Sequence, residues 1–336
     1  MRAEVVTFGE IMLRLCPEGY ERIVQAQSFG ATYAGSEASV AVDLCCLGVP
    51  ARFVSKVPCG PVGQAAVNAL RRYGVGTQGM VRGGERLGIY FAERGMGMRA
   101  GQVVYDRANS AMAQASPADF DWDSLLDGAA WLHFSGITPA LGGQTPRICE
   151  DACRAAHARG IPVSIDVNFR RKLWEPQRAG EVLSRLLPGA RLVFCGTQEM
   201  EELFGIACEE GASSERAFAE GAARLCKKFG VGAVATTLRE GSRAQENMLA
   251  GLLFDGVQCH VSREYDVCIV DRLGGGDAYA AGLICSLLKG EPPARAVEFA
   301  ASAACLKHTC DGDFMQVTAQ EVAALADGAC GGRVRR

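Results

Sequence analysis

Short apolar runs alternate with longer amphipathic ones along most of this chain. Glu4–Phe8, Ala51–Val57, Trp131–Phe134, Pro162–Asp166, Leu192–Cys195 and Ala233–Thr237 are too short for helices and have little polar alternation. They predict strands covered on both faces. Between them, Glu37–Leu47, Pro61–Tyr73, Pro146–Arg159, Gln177–Leu187, Glu199–Phe204 and Ser214–Phe229 carry helical spacing. Two further strands are expected near Gly251–Val261, then helices at Asp277–Leu288 and Pro293–Lys307. Strands alternating with helices imply an α/β fold with a mostly parallel sheet and helices on both faces. Such sheets bind ligands beyond the carboxyl ends of their strands.

Two segments break the rhythm. Residues 12–33 and 87–107 are extended, turn-rich and poor in helical pattern. In the second, Leu87–Glu93 reads as a strand, Gly95–Gly101 as a turn and Gln102–Asp106 as a returning strand. These predict a small antiparallel sheet outside the main layer. No Pro/Ser-rich linker and no repeat divides the chain, so residues 1–336 read as one domain with an added lid.

Composition narrows the functional classes. At 49% apolar and 22% charged residues the chain is ordinary for a globular protein. A net charge of −3 gives no electrostatic case for nucleic acid or anionic membrane as partner. No apolar run approaches the roughly 20 residues of a membrane span. Met1-Arg2-Ala3-Glu4 leads straight into a strand without a signal peptide's apolar core, so a cytoplasmic location is expected. The 15 cysteines are odd in number and form no Cys-x-x-Cys. They read as small buried hydrophobes in a reducing compartment. Cys149, Cys153 and His157 share a helix face but have no obvious fourth partner for a metal.

The chemistry concentrates near the end. Asp271-Arg272-Leu273-Gly274-Gly275-Gly276-Asp277 precedes an almost wholly apolar run from Ala278 to Leu288. A buried helix there would leave N-terminal amides unpartnered, with its dipole favouring negative charge. The glycines let those amides approach an anion such as a phosphoryl group. Asp277 is then placed to take a proton from a hydroxyl attacking phosphorus, or else simply supports the helix start. No lysine follows the glycines, so this is not a Walker-type phosphate loop.

The Asp-x-x-Gly-Gly-Gly-Asp stretch resembles the C-terminal signature of the ribokinase (PfkB) family of carbohydrate kinases, and similarity extends over nearly the whole chain. The resemblance implies a ribokinase-like three-layer sandwich with a β lid over the sugar, Asp277 as catalytic base, and Gly274, Gly275 and Gly276 as anion hole. Within the family the chain is most similar to the kinases of 2-keto-3-deoxygluconate. Ala34-Gly35-Ser36-Glu37-Ala38-Ser39-Val40-Ala41 stands where those enzymes carry Gly-Gly-Ala-Glu-x-Asn-Val-Ala, which would set Gly35 against the sugar. Tyr90, Tyr105 and Arg107 match their lid residues, and Ser135–Leu141 and Asp166–Trp174 resemble their counterparts closely. By that likeness Arg107 and Arg170 would hold a substrate carboxylate, and Asp313 of Cys310-Asp311-Gly312-Asp313-Phe314 would approach the sugar. Asp166 and Asn168 would organise the Mg2+–phosphate water network.

For the nucleotide, Gly196-Thr197-Gln198-Glu199 occupies the place of the family's Asn-x-x-Glu, with Glu199 as the residue facing Mg2+. Thr237 and Arg239 fall in the nucleotide loop, and Ala301 with Ser302 would flank adenine. His308 is expected as a loop residue. The activity implied is ATP- and Mg2+-dependent phosphorylation of 2-keto-3-deoxy-D-gluconate, or a close sugar acid, to its 6-phosphate. Alternatives are a neutral-sugar or nucleoside kinase and a non-catalytic sensor of the same fold. An apolar lid face would invite a second copy, so a homodimer is expected; sedimentation of monomer alone at micromolar concentration would refute it.

Overall fold

Apolar runs bounded by turns become the strands of one large sheet, because only a position inside a sheet covered on both faces buries both sides of such a run. The computed structural model describes residues 4–207, 212–241 and 243–329. The chain begins with β1 (Glu4–Phe8), β2 (Met12–Cys16), β3 (Gly30–Ala34), α1 (Ser36–Cys46), β4 (Ala51–Val57), α2 (Pro61–Arg71) and β5 (Met80–Arg82). It continues through β6 (Ile89–Glu93), β7 (Gln102–Asp106), α3 (Trp122–Leu125), β8 (Ala129–Ser135), α4 (Ile137–Ala140), α5 (Thr145–Ala158) and β9 (Val163–Asp166). Then come α6 (Pro176–Leu186), β10 (Leu192–Phe194), α7 (Thr197–Phe204), α8 (Ser214–Phe229), β11 (Val234–Glu240) and β12 (Glu246–Phe254). The last elements are β13 (Cys259–Val261), β14 (Tyr265–Cys268), α9 (Gly275–Leu288), α10 (Pro293–His308) and α11 (Ala319–Ala326).

The main sheet runs in the order β13-β12-β11-β10-β9-β8-β1-β4-β5, with β14 also paired to β12. From β5 to β11 every pairing is parallel, and the antiparallel strands gather at the β12 edge. Alternate residues of one strand enter opposite cores. Val5, Trp131, Leu192 and Phe194 pack on the side of α1, α2, α9 and α10, while Val6, Leu132, Phe134 and Val193 pack on the side of α5–α8. This is a three-layer α/β sandwich. Among the described residues no helix is long and apolar enough to cross a membrane.

Strand order reverses at β1, where the chain first moves toward β4 and later returns to β8 on the other side. The carboxyl ends of β1 and β8 therefore flank a crevice, the usual place for a ligand in such a sheet. The four-stranded second sheet, ordered β3-β2-β6-β7, takes β2 and β3 from the chain directly after β1, and β6 and β7 from the chain after β5. Its outer pairings are antiparallel and β2–β6 is parallel.

Five elements exceed the expectations from pattern: β5, α3, α4, β14 and α11 are each eight residues or shorter, which leaves little periodicity to read. Cys149 and Cys153 are buried in the α5–α8 core and His157 is exposed, an arrangement of packing. Helix α9 is buried nearly all round and meets α10 so closely that a Cβ on Gly282 would lie 2.8 Å from Ala300 Cα. Gly282→Ala should therefore lower stability by about 1–3 kcal/mol through overpacking, measured by urea unfolding.

Candidate active site

The three glycines before α9 have distinct reasons to be there. Gly274 adopts φ 83°, and a Cβ would fall 1.9 Å from the Asp313 carbonyl oxygen. At Gly275 a Cβ would strike the His308 ring at 2.5 Å. Gly276 faces outward, and the only heavy atom within 4 Å of its virtual Cβ is Arg239 Nη2 at 3.9 Å. The first backbone bond of α9 runs from Ala278 N–H to Gly274 O, so the preceding amides find no partner inside the helix. The loop is held from behind by Asp271. Its Oδ1 accepts from Leu273 N at 3.1 Å, and its carbonyl accepts from Lys307 Nζ at 3.3 Å. His308, expected in a loop, instead ends α10 fully buried with Nδ1 3.2 Å from the Asp271 carbonyl oxygen. Burial pushes its pKa down to about 4, so it stays neutral.

Asp277 lies half-buried in the first turn of α9. Ser36, the first residue of α1, donates its hydroxyl to Asp277 Oδ1 at 2.6 Å. Asn168 Nδ2 donates to the same Ser36 oxygen at 3.2 Å, from a residue held at φ 42° beyond the end of β9. Burial pushes the Asp277 carboxyl up to about 7; Ser36 opposes this, Asp313 and Glu37 add to it, and Arg170 again opposes it. The group can therefore accept a proton near neutral pH. Behind it, Glu37 is 1% exposed and takes the Ser135 amide, the Ser135 hydroxyl and the Thr138 hydroxyl, at 2.7–2.9 Å. Glu37 thus ties the start of α1 to the end of β8, which fixes Ser36 beneath Asp277.

On the far side, Asp166 ends β9, and burial, with Glu199 and Asp277 adding to it, pushes its pKa well up. Glu199 accepts from Gly196 N at 2.9 Å and Phe169 N at 3.1 Å, joining the two loops. Its expected role toward a metal is therefore preceded by a structural one, with each oxygen already receiving an amide. Gly196 caps α7 and Thr197 opens it. Thr237 and Arg239 lie on β11 opposite Gly251 and Leu249. Ala301 and Ser302 differ from expectation: both are wholly buried in α10 and offer no surface to a purine in this arrangement.

The lid contributes a row of side chains across paired strands, Arg14 beside Tyr90 and Tyr90 beside Tyr105. Arg14 donates to Asp271 Oδ2 at 2.5 Å and pairs with Asp313 Oδ1, while the Tyr90 hydroxyl donates to Asp313 Oδ2 at 2.8 Å. Asp313 stands close enough to raise the Asp277 pKa, so the row and the proposed base share one space. Tyr105 is exposed, with its ring centroid 6.0 Å from that of Tyr90. Arg107 is not free for a carboxylate, since Nε and Nη2 both go to buried Glu10, at 2.9 Å for Nε. Arg170 is exposed beyond β9, donates to the Phe169 carbonyl oxygen at 3.3 Å and makes no ion pair among the described residues. Gly35 caps α1, and a Cβ there would meet the Glu10 carbonyl oxygen at 2.0 Å. The glycine lets the chain leave the lid against β1.

Comparison with known proteins decides the class. The profile of the pfkB family of carbohydrate kinases matches residues 2–315. The chain belongs to the PfkB family. It is a sugar kinase. This PfkB protein is 32% identical to the 2-dehydro-3-deoxygalactonokinase of Haloferax volcanii, over 96% of each chain. It is 44% identical to the solved 2-dehydro-3-deoxygluconokinase of Thermotoga maritima, with a TM-score of 0.95 over 97% of this chain and 100% of that one. A ribokinase II from E. coli, solved with ATP and Mg2+, has the same fold at 20% identity, with a TM-score of 0.81 over 97% of this chain and 99% of that one.

In this PfkB chain Asp277 interacts with Asp313 and Arg170, Asp166 with Glu199, Asp277 and Arg170, and Arg239 with Asp277, while Tyr90 is bonded to Asp313, Gly196 to Glu199, and Gly35 precedes Ser36. Arg14 and Glu10 carry the arrangement with no local signal to mark them, and Ser36 and Glu37 lie in the Gly35 stretch without the sequence giving either a role. Two predictions follow from the ion pairs and the carboxyl. Arg14→Ala leaves two carboxylates without their buried partner and should cost about 3–5 kcal/mol in chemical unfolding. Asp277→Asn removes a group that is protonated more readily folded than unfolded. Ionisation of Asp277 therefore costs stability from the unfolded value near 4 up to about 7. The asparagine variant should melt at or above the wild-type Tm above pH 7, with the difference vanishing below pH 4.

Proposed function

We propose that this kinase transfers the γ-phosphoryl group of ATP to the primary hydroxyl of a 2-keto-3-deoxy sugar acid, 2-keto-3-deoxy-D-gluconate first, giving the 6-phosphate. The observation that carries the reaction is Asp277: a half-buried carboxyl that ionises near neutrality, adjoining the unspent amides of α9. The acceptor hydroxyl loses its proton to Asp277 as its oxygen bonds to phosphorus. The bond from phosphorus to the leaving oxygen breaks, and ADP departs with the electron pair. Gly274, Gly275 and Gly276 offer amides to the equatorial oxygens, and Ser36 keeps Asp277 oriented.

The substrate class rests on the names of the relatives and on cations at the crevice. Arg170 has no carboxylate partner and is free to hold an acid, whereas Arg107 is charge-matched by Glu10 and would position Tyr105 and the lid, with its guanidinium carbon 5.5 Å from the Tyr105 ring centroid. Asp313 and Tyr90, already hydrogen-bonded to each other, would share their bonds with sugar hydroxyls. Gly196, Thr197, Thr237 and Arg239 would border the nucleotide.

Magnesium suits the donor set through water. Asp166 and Glu199 supply hard oxygens near Asp277, but no three acidic, histidine or cysteine side chains among the described residues are grouped to hold an ion directly. Magnesium keeps several waters and binds with phosphate, so Asp166 and Glu199 would face its water shell. Bound there, the ion would neutralise charge on the nucleotide phosphates.

Coupled ADP release should appear with 2-keto-3-deoxygluconate or 2-keto-3-deoxygalactonate and MgATP, and be absent with fructose, ribose and adenosine. Asp277→Asn should lower kcat at least about 100-fold. Turnover on neutral sugars would discard the acid reading and retain the kinase. With Asp277 as base, kcat/KM should rise with pH through an ionisation near 7 and stay flat above it; a flat profile from pH 5 to 8 would remove Asp277 from that role.

A further inference from the structure

One cation at this crevice has no hydrogen-bond or ion-pair partner among the described residues. Arg239 lies one residue before the end of β11, and its strand neighbour Leu249 lies in the core shared with α9 and α10, so its side chain leaves the sheet on the side of the glycine loop. It is exposed and places Nη2 3.9 Å from the virtual Cβ of Gly276. Arg272, next to it, is spent on the carbonyls of Ala244 and Arg243 at 2.9 and 3.1 Å. Arg239 faces Asp277 and Asp166 as well as Arg272 and Arg170. Arg239 thus stands at Gly276 beside the positive end of α9, with Arg170 near enough to act on it, and an anionic ligand there would meet both charges.

We propose that Arg239 is a catalytic residue that donates N–H bonds to the oxygens of the phosphoryl group in flight, an arginine supplied within the chain to stabilise the transition state. This deepens the kinase reading and rests on it. The exchange of bonds is unchanged: the acceptor oxygen bonds to phosphorus, its proton goes to Asp277, and ADP leaves with the electron pair. Arg239 neither gives nor takes a proton. Its planar fork spans two oxygens at once, which a lysine does not do. A residue bound equally to ATP and to the transition state would alter KM and leave kcat alone.

The test is Arg239→Ala and Arg239→Lys beside wild type, with melting curves to establish folding. Both variants should lose about 100-fold in kcat with KM for sugar and MgATP changed less than about threefold. Added guanidinium ion should restore part of the rate of Arg239→Ala. Affinity for MgADP with aluminium fluoride should fall by the same factor as kcat, while affinity for ADP is retained. A kcat within threefold of wild type, or a defect confined to the KM of MgATP, would overturn the proposal. If wild type phosphorylates a neutral sugar instead of the acids, the substrate reading fails and the comparison is made on that sugar. If no sugar turns over, the aluminium fluoride affinities of wild type and Arg239→Ala decide: equal values overturn it.

Discussion

A single guanidinium holds the lid to the glycine loop before α9. Arg14 projects from β2, binds Asp271 at the root of the glycine loop, and binds Asp313 on the segment after α10. Asp271 in turn accepts from Leu273 and Gly312 amides, at 3.1 and 3.3 Å, and its carbonyl receives Lys307 and His308. Lid, glycine loop and Asp313 are thereby set relative to one another through one buried cluster. Taking such charges out of water adds little net stability, but breaking the cluster is costly. Its value is therefore geometric, since phosphoryl transfer depends chiefly on positioning and charge.

Asp277 shows the opposite trade. A carboxylate drawn out of water beside Asp313 and Glu37 is a poor contributor to folding above neutral pH, and burial, with those neighbours adding to it, brings its ionisation to about 7. The fold opposes this with the Ser36 hydroxyl, itself fixed from Asn168 and from the Glu37 bonds to β8, and with the charge of Arg170. Glu37 spends its charge inside the protein on three donors and is a scaffold for Ser36 and, through it, Asp277. Arg107 and Glu10 repeat the pattern in the lid, where a cation suited to a substrate acid is already matched. Cations left unmatched at the crevice, Arg170 and Arg239, are those whose charge an anionic ligand would complete.

The sequence alone carried the layer order of the sandwich, because strands buried on both faces must be apolar throughout and helices between them must be amphipathic. It also carried the glycine–aspartate loop, where the proposed chemistry demands adjacent residues: the proposed amide donors and the proposed base lie within one turn. What it could not carry is every contact between residues far apart in the chain. Arg14 reads as a polar position in an alternating strand, and its partners lie 257 and 299 residues away. Ser36 is 241 residues from Asp277. Arg107 read as a free arginine because Glu10, which neutralises it, belongs to another strand end. Ala301 read as a ligand contact because burial is a property of packing and not of residue type. Local pattern is set by backbone periodicity, which any short stretch records; the pairing of charges is set by where the closed fold brings strand ends together, and that only the tertiary structure decides.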